Sequence, residues 1–515
     1  MSDAIVKNLS FGDDARKNVF NGITKLTKAV SSTLGAGGKC VLLEDSTGKP
    51  VITKDGVTVA DSVTLLDPVE NMGATLLKEA ARKTVKEAGD GTTTATVLAH
   101  SILIEAQKQN VNARTLKEGI DSAVAKVIAS LEKSSVKVTG DMIDQVATIS
   151  TNNDPVLGKI IADAFRAVGE NGVVVMETTA EPETEIEIVD GVEYDKGLTN
   201  SHFVTSKTTK AAELENPLVL IVESPVESIR KIQGVLEFVI KNNKPLLIIA
   251  DCEPAVVSSL AMNKSKGNIK VNIINAPTYG VNKKDTLDDL ALLTGATVIN
   301  EDLGDDMDLI TPEHLGQCLK SITTDTDTIL TIERNKPEVI ELIDEVKALI
   351  KSAKAPGEIV RLERRLARLS AMVAVIKVGA NSSIELKEKA DRVEDAICAT
   401  KAAIKEGIVP GGGIALLNAS TLLKPNNEGE EVLLEAIKAP YKTILKNAGL
   451  PEVFPSSKGK GINVVTGKDV NMIKSGILDP LLVTKSALRN AASVATTILS
   501  TDCVINNLRI DEGNR

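Results

Sequence analysis

Six consecutive residues, Gly89-Asp90-Gly91-Thr92-Thr93-Thr94, stand at the mouth of a helical run and combine what an anion site needs. Glycines let a ligand approach the backbone closely, and the free N–H groups at a helix start favour negative charge. Three hydroxyls in a row add donors for phosphate oxygens, and Asp90 offers the hard oxygen that suits Mg2+. A glycine C-cap followed by a threonine N-cap accounts for two of these residues, but not for three poor helix formers together. Phosphate binding is the reading that covers them all. A second glycine cluster, Thr33-Leu34-Gly35-Ala36-Gly37-Gly38-Lys39, follows the first helix, where glycines also simply end helices. A third, Val409-Pro410-Gly411-Gly412-Gly413, is long for a turn. The GxxxxGK[ST] loop is absent, so a nucleotide site here is not of the common P-loop type.

Three more acids stand out by placement. Asp55 lies in Thr53-Lys54-Asp55-Gly56, where a turn residue is the plain alternative. Asp395 follows Val393 by two positions in the run 384–406, about 200° round the helix from the apolar stripe. Periodicity alone therefore puts it on a solvated face. Asp479, in Gly476-Ile477-Leu478-Asp479-Pro480, reads as a turn acid before proline.

The elements that must position these residues are legible in outline. Val19, Ile23, Leu26, Val30 and Leu34 repeat at helical spacing, as do Val69, Met72, Leu76, Ala80 and Val85, with Gly35 and Gly89 as stops. Further helices are expected from Thr92, across Leu116–Leu131, and over 335–371, 384–406, 430–448 and 486–500. Between them, apolar runs at 218–222, 246–250, 269–274 and 297–299 alternate with helical segments near 225–240, 254–265 and 284–294, the pattern of an α/β domain. A strand is expected at 373–378. The helical halves each carry glycine loops and are expected to join as one discontinuous domain.

Composition narrows the function. The chain has 515 residues, enough for about three domains, with 60 Lys+Arg against 70 Asp+Glu and a net charge of −10. That balance argues against gripping nucleic acid, which needs a basic face. Aromatics are 2% of residues, with no Trp, so stacking platforms are not expected. Five dispersed cysteines and three histidines supply neither a disulfide framework nor a zinc site. An N-terminus without an apolar leader and the lack of an apolar run of about 18 residues make a cytoplasmic protein, off the membrane, the expectation.

Taken in order, TLGxGG, TKDGV, GDGTTTATV, RVEDA, GGG and GILDP resemble the group I chaperonins, the bacterial sixty-kilodalton family. The likeness extends through Val189–Gly197 and Lys244–Ala250 and covers nearly the whole chain. It implies a multi-domain chaperonin fold of α and α/β parts: a helical equatorial ATPase domain from 1–136 and 408–515, an intermediate hinge from 137–190 and 373–407, and an α/β apical domain at 191–372. It further implies homo-oligomeric, heptameric rings that enclose non-native polypeptides, with a lid co-chaperonin, and promote folding by ATP-driven domain movements.

By the same resemblance, ATP and Mg2+ are the cofactors, with K+ as an optional second cation. Thr33, Leu34, Gly35 and Ala36, with Gly91, Thr92, Thr93 and Thr94, would cradle phosphates beside Lys54. Asp90 would hold Mg2+. Gly412, Asp479, Asn463, Val464 and Val465 would contact the nucleoside. Asp395, swinging in on the hinge, and Asp55 would orient the attacking water. Polypeptide would bind at Leu198, Phe203, Gln233, Leu236, Val257, Ala261 and Met262.

The chain departs from the family in ways that bear on function. Ala36-Gly37 replaces Pro-Lys in the first glycine loop, which is expected to be looser for it. Leu198 and His202 replace tyrosines, Gln233 replaces a groove leucine, Ala276–Val281 lacks the acid of the family motif, and a Gly-Met tail does not follow RIDEGNR. These departures leave open an alternative: a ring-forming binding or scaffold protein with altered client or lid use.

Overall fold

Helical periodicity in the first third of the chain becomes a stack of helices joined by short turns. Helix α1 (Gly12–Ser31) buries Ile23, Leu26 and Val30. Helix α2 (Gly56–Ser62) is short. Helix α3 (Pro68–Ala88) starts on a proline behind Asp67, whose carboxylate accepts from the N–H groups of Val69 and Glu70. Helices α4 (Thr92–Gln107) and α5 (Ala113–Ser134) follow. The helix Leu481–Leu499, from the other end of the chain, packs on α3, α4 and α5. Leu26, Leu98, Ile120, Leu433 and Leu488 accordingly share one core. Each such side chain contributes about 1.5–3 kcal/mol by leaving water. A computed structural model describes residues 7–507 apart from 45–47, 152–153, 170–171, 180, 195, 207–208, 277–280, 333–336, 456 and most of 353–371.

The described chain falls into two compact units. The first takes Met1–Ala162, Thr178–Thr184 and Val378–Arg515, and is mainly helical. Its strands are short and local. Lys7–Phe11 pairs antiparallel with Cys503–Asn507, and Val41–Glu44 forms a ribbon with Pro50–Thr53. The long helix Ser383–Glu406 also belongs here, capped by the Ser382 hydroxyl on the Glu385 N–H.

The second unit, Asp163–Glu177 with Glu185–Lys377, is α/β. The apolar runs form a parallel sheet in the order Val298–Ile299, Leu218–Val222, Leu246–Ile249, Val271–Ile274. Both faces of such a sheet are covered, which is why the runs read as unbroken Val, Leu and Ile. Helices Gln233–Lys241, Pro254–Ser265 and Val281–Thr294 connect the strands. A six-stranded sheet built around Glu185–Tyr194 and Met372–Val378 accompanies it.

Two expected helices are shorter than the periodicity suggests. The 225–240 segment begins as a 3-10 turn, Ile229–Ile232, capped by the Ser228 side chain, and becomes α-helical only at Gln233. The 430–448 run breaks into Glu428–Ala436 and Ala439–Asn447, because Pro440 cannot continue the hydrogen-bond ladder. Pro277–Gly280, in the motif that lacks its acid, and most of 353–371 lie outside the described residues. Among the described residues no helix is long and apolar enough to cross a membrane.

Candidate nucleotide site

The glycine–threonine turn closes α3 and opens α4. Gly89 and Gly91 both adopt left-handed φ, 73° and 99°, with Asp90 between them. The Asp90 carboxylate accepts from the Gly91 N–H. Helix α2 has Asp55 and α3 has Asp67 as side-chain caps, but Gly91 offers α4 none. The first N–H groups of α4 thus carry the positive end of the helix without an internal acceptor. Space at Gly91 is tight, since a Cβ would stand 2.9 Å from Val483 Cγ1.

The first glycine loop lies beside this turn, with Thr33 Oγ1 3.4 Å from Thr93 Oγ1. It is not loose. Gly38 and Lys39 donate back to the carbonyls of Gly35 and Ser32, both at 2.9 Å. Asn447 Nδ2 donates to the carbonyls of Ser31 and Leu34 at 2.8 and 2.9 Å. Gly37 packs so closely on Ala448, next to Asn447 in the chain, that a Cβ would come within 2.7 Å of its Cα. Packing replaces the stiffness that the expected Pro-Lys would supply. Leu34 and Gly35 are half-buried and Ala36 is exposed.

Asp55 is the N-cap of α2. Its Oδ1 accepts from the Val57 N–H at 3.0 Å, and its Oδ2 from the N–H and hydroxyl of Thr58, both at 2.7 Å. The turn role is therefore real, and it holds the carboxylate in one orientation. The start of α2 abuts the start of α4: a Cβ on Gly56 would lie 2.5 Å from Thr93 Oγ1. Lys54 is half-buried next to it.

Asp395 does not lie on a solvated face. The long helix crosses the α3–α4 turn so closely that a Cβ on Gly89 would be 2.3 Å from Cys398 Cβ, and Ala402 packs with Ala88 and Val483. Residues 395, 398 and 402 share that helical face. Burial pushes the Asp395 carboxyl well above the usual carboxylate range, and the charges of Asp90 and Asp55 push it further. Burial also raises Asp90, with Asp55 adding to the shift and the Gly91 N–H opposing it.

Asp479 is likewise more than a turn acid. It sits in the strand Leu478–Pro480, paired with Ile408–Pro410. Burial and the nearby Asp90 push its carboxyl up to about 7, against the N–H groups of Gly413 and Gly412. On the nearby hairpin, Asn463 Oδ1 accepts from the N–H groups of Val465 and Thr466. Val464 packs with Met472 and Tyr441, whereas Val465 is 74% exposed.

The fold thus gathers Thr33, Asp55, Asp90, Gly91–Thr94 and Asp395 into one half-buried crevice, with Gly412 and Asp479 adjoining it through Asp90. Asp55 and Asp90 lie close enough to Asp395 that their charges add to burial in disfavouring its ionised form. A hard divalent cation and a phosphate chain fit that donor set. Asn447 and Cys398, which brace the crevice, carried no sequence signal, because their partners lie hundreds of residues away.

In the α/β unit the seven polypeptide-binding candidates divide by exposure. Phe203, Leu236 and Ala261 are buried in the core, with Leu198 and Val257 packed against it half-buried. Gln233 and Met262 face solvent, Met262 at 59%, and the Gln233 amide donates to Glu237 Oε1 at 2.7 Å.

A family model of the TCP-1/cpn60 chaperonins matches residues 26–509. The chain belongs to that family, as a divergent member, and its function is that of an ATP-dependent chaperone with ATPase chemistry. Its fold is similar to that of the chaperonin gp146 from the bacteriophage EL 2 (Pseudomonas aeruginosa), solved in the presence of ATP-BeFx. In one crystal form the TM-score is 0.75 at 22% identity, over 99% of this chain and 100% of gp146. In a second the TM-score is 0.66 at 21% identity, over 97% and 99%.

Proposed function

We propose that this chain is one subunit of a ring-shaped folding chamber, powered by ATP hydrolysis in the crevice between α2, α4 and the long helix. The observation that carries the reading is Asp395. A carboxylate from residue 395 is brought beside Asp90 and Asp55 and has no hydrogen-bond or ion-pair partner among the described residues. Uncompensated buried charge is costly, so it signals a ligand.

The N–H groups and hydroxyls of Gly91–Thr94, with Thr33–Ala36 and Lys54, bind the phosphate chain. Asp90 would hold Mg2+, which supplies neutralisation of the charge on the phosphoryl oxygens. No group of three or more metal-binding side chains occurs among the described residues, so the nucleotide's own oxygens would have to supply most of the cation's ligands. Asp395 accepts a hydrogen bond from the attacking water, and Asp55, pinned by its cap, fixes that water from the other side. Phosphoryl transfer needs positioning more than covalent help, and two oriented acids can provide it. Gly412, Asp479 and Asn463–Val465 contact the nucleoside, and K+ is an optional second cation.

The reading includes an equatorial domain of 1–136 and 408–515, a hinge of 137–190 and 373–407, and an apical domain of 191–372. Heptameric rings, a lid partner, a cytoplasmic setting and classification as a protein-folding isomerase belong to it. Self-association has physical support in the two-stranded ribbons. Leu42 pairs with Ile52 and Leu9 with Ile505, all four are at least half exposed, and such ribbons are marginal alone. Non-native chains would bind along 198–203 and the helices Gln233–Lys241 and Pro254–Ser265, where Met262 offers an adaptable apolar contact.

Asp395→Ala should lose hydrolysis by about a hundredfold or more while binding ATP as before. Wild-type turnover in that variant sinks the reading of the site. The exposed, polar Gln233 favours a second reading, a scaffold that binds clients without ATP-driven release. Refolding assays with and without ATP separate the two.

A further inference from the structure

The face of the long helix that carries Asp395 and Cys398 continues one turn toward the N-terminus to Asp391. Spacings of four, three and four link 391, 395, 398 and 402 into one stripe. Its far end is anchored, with Cys398 on Gly89 and Ala402 on Ala88 and Val483. The near end therefore runs along the same crevice, toward the start of α2. Asp391 is half-buried there and, like Asp395, has neither a hydrogen bond nor an ion pair among the described residues. Its neighbours on the stripe's own helix are Lys387 and Glu388, and across the crevice it feels the charge of Asp55. Burial raises its carboxyl above the usual range, Lys387 opposes this, and Asp55 and Glu388 add to it. The Glu388 carboxylate is itself engaged by Arg392 at 2.8 Å.

We propose that Asp391 is a positioning residue of the ATPase site, whose charge makes the seating of the long helix over the crevice depend on a bound divalent cation. This rests on the hydrolytic reading above and deepens it. Without a cation, ionising Asp391 and Asp395 on one helix face brings negative charge toward Asp55 and Asp90, and that repulsion, which also favours the protonated form of Asp395, opposes the seated position. With one, the same two charges hold the helix down. The helix thereby responds to whether the nucleotide arrives with its metal.

The test compares the full-length wild type with Asp391→Asn, Asp391→Glu and Asp395→Asn. Mn2+ binding in the presence of ADP is read by electron paramagnetic resonance, and thermal melting is read without nucleotide or divalent ion. Removing one charge at this range weakens apparent Mn2+ affinity by roughly three- to tenfold in Asp391→Asn, and Asp391→Glu restores it. In the metal-free melt Asp391→Asn unfolds about 2 °C higher than wild type, because a repulsive charge is gone. A residue that merely packs would lower that melting point. An unchanged Mn2+ midpoint, or a lower metal-free melting point in Asp391→Asn, overturns the role of Asp391. If Asp395→Asn hydrolyses ATP at the wild-type rate, the reading of the whole site fails and this proposal falls with it. If Asp395→Asn is inactive and the Asp391→Asn midpoint is unmoved, only Asp391 is misassigned.

Discussion

At the scale of the residue, Gly89 decides how near the long helix can come. Its φ of 73° already disfavours a side chain, and a Cβ would collide with Cys398 Cβ at 2.3 Å. Gly140 provides a control, with φ of 54° and open space around it. Gly140→Ala should cost about 1 kcal/mol of stability and leave hydrolysis unchanged. Gly89→Ala should cost about 2–3 kcal/mol in urea unfolding and cut hydrolysis at least tenfold, because Asp395 is lifted from Asp90. Equal behaviour of the two variants would mean that the close approach does not matter. The GDGTTT run announced itself in sequence because its composition is odd for any structural role. Asp395 did not. Periodicity identifies the apolar stripe of a helix, and a polar stripe that faces a buried site looks the same as one that faces water.

At the scale of the element, the glycine loop after α1 is held from outside by the end of the helix Ala439–Asn447. The expectation of a loose loop considered only Ala36-Gly37 and missed what lies against them. Asn447 ties the Ser31 and Leu34 carbonyls, and Ala448 fills the place where a Cβ on Gly37 would be. Asn447→Ala removes two hydrogen bonds to carbonyls near the loop and should cost about 1–2 kcal/mol. Its effect on function should fall on binding: the KM for ATP rises several-fold while kcat changes less, since Asp395 and Asp55 are untouched. A fall in kcat at constant KM would show that the brace serves chemistry instead. The helices were legible because burial on one face writes a period into them, and the parallel strands because burial on both faces makes them unbroken apolar runs. The brace was not, since it joins residues more than 400 positions apart and neither partner is unusual locally.

At the scale of the whole molecule, the ribbon formed by Lys7–Phe11 and Cys503–Asn507 joins the two ends of the described chain, a pairing no local signal announces. It exposes Leu9 and Ile505 as a cross-strand pair, and the Val41–Glu44 ribbon exposes Leu42 opposite Ile52 in the same way. In a chain with a net charge of −10, two apolar pairs on strands with open edges are costly surfaces to leave in water. Strand pairing or apolar contact between copies would cover them, and the proposed assembly would then depend on these ribbons rather than on the helical core. Leu42→Lys with Ile52→Lys puts two cations on one face of the ribbon without touching the crevice or a buried core position. Light scattering should show the assembly falling to the 54.4 kDa chain, with far-UV circular dichroism unchanged. An assembly of unaltered mass would place the contact between subunits elsewhere on the surface.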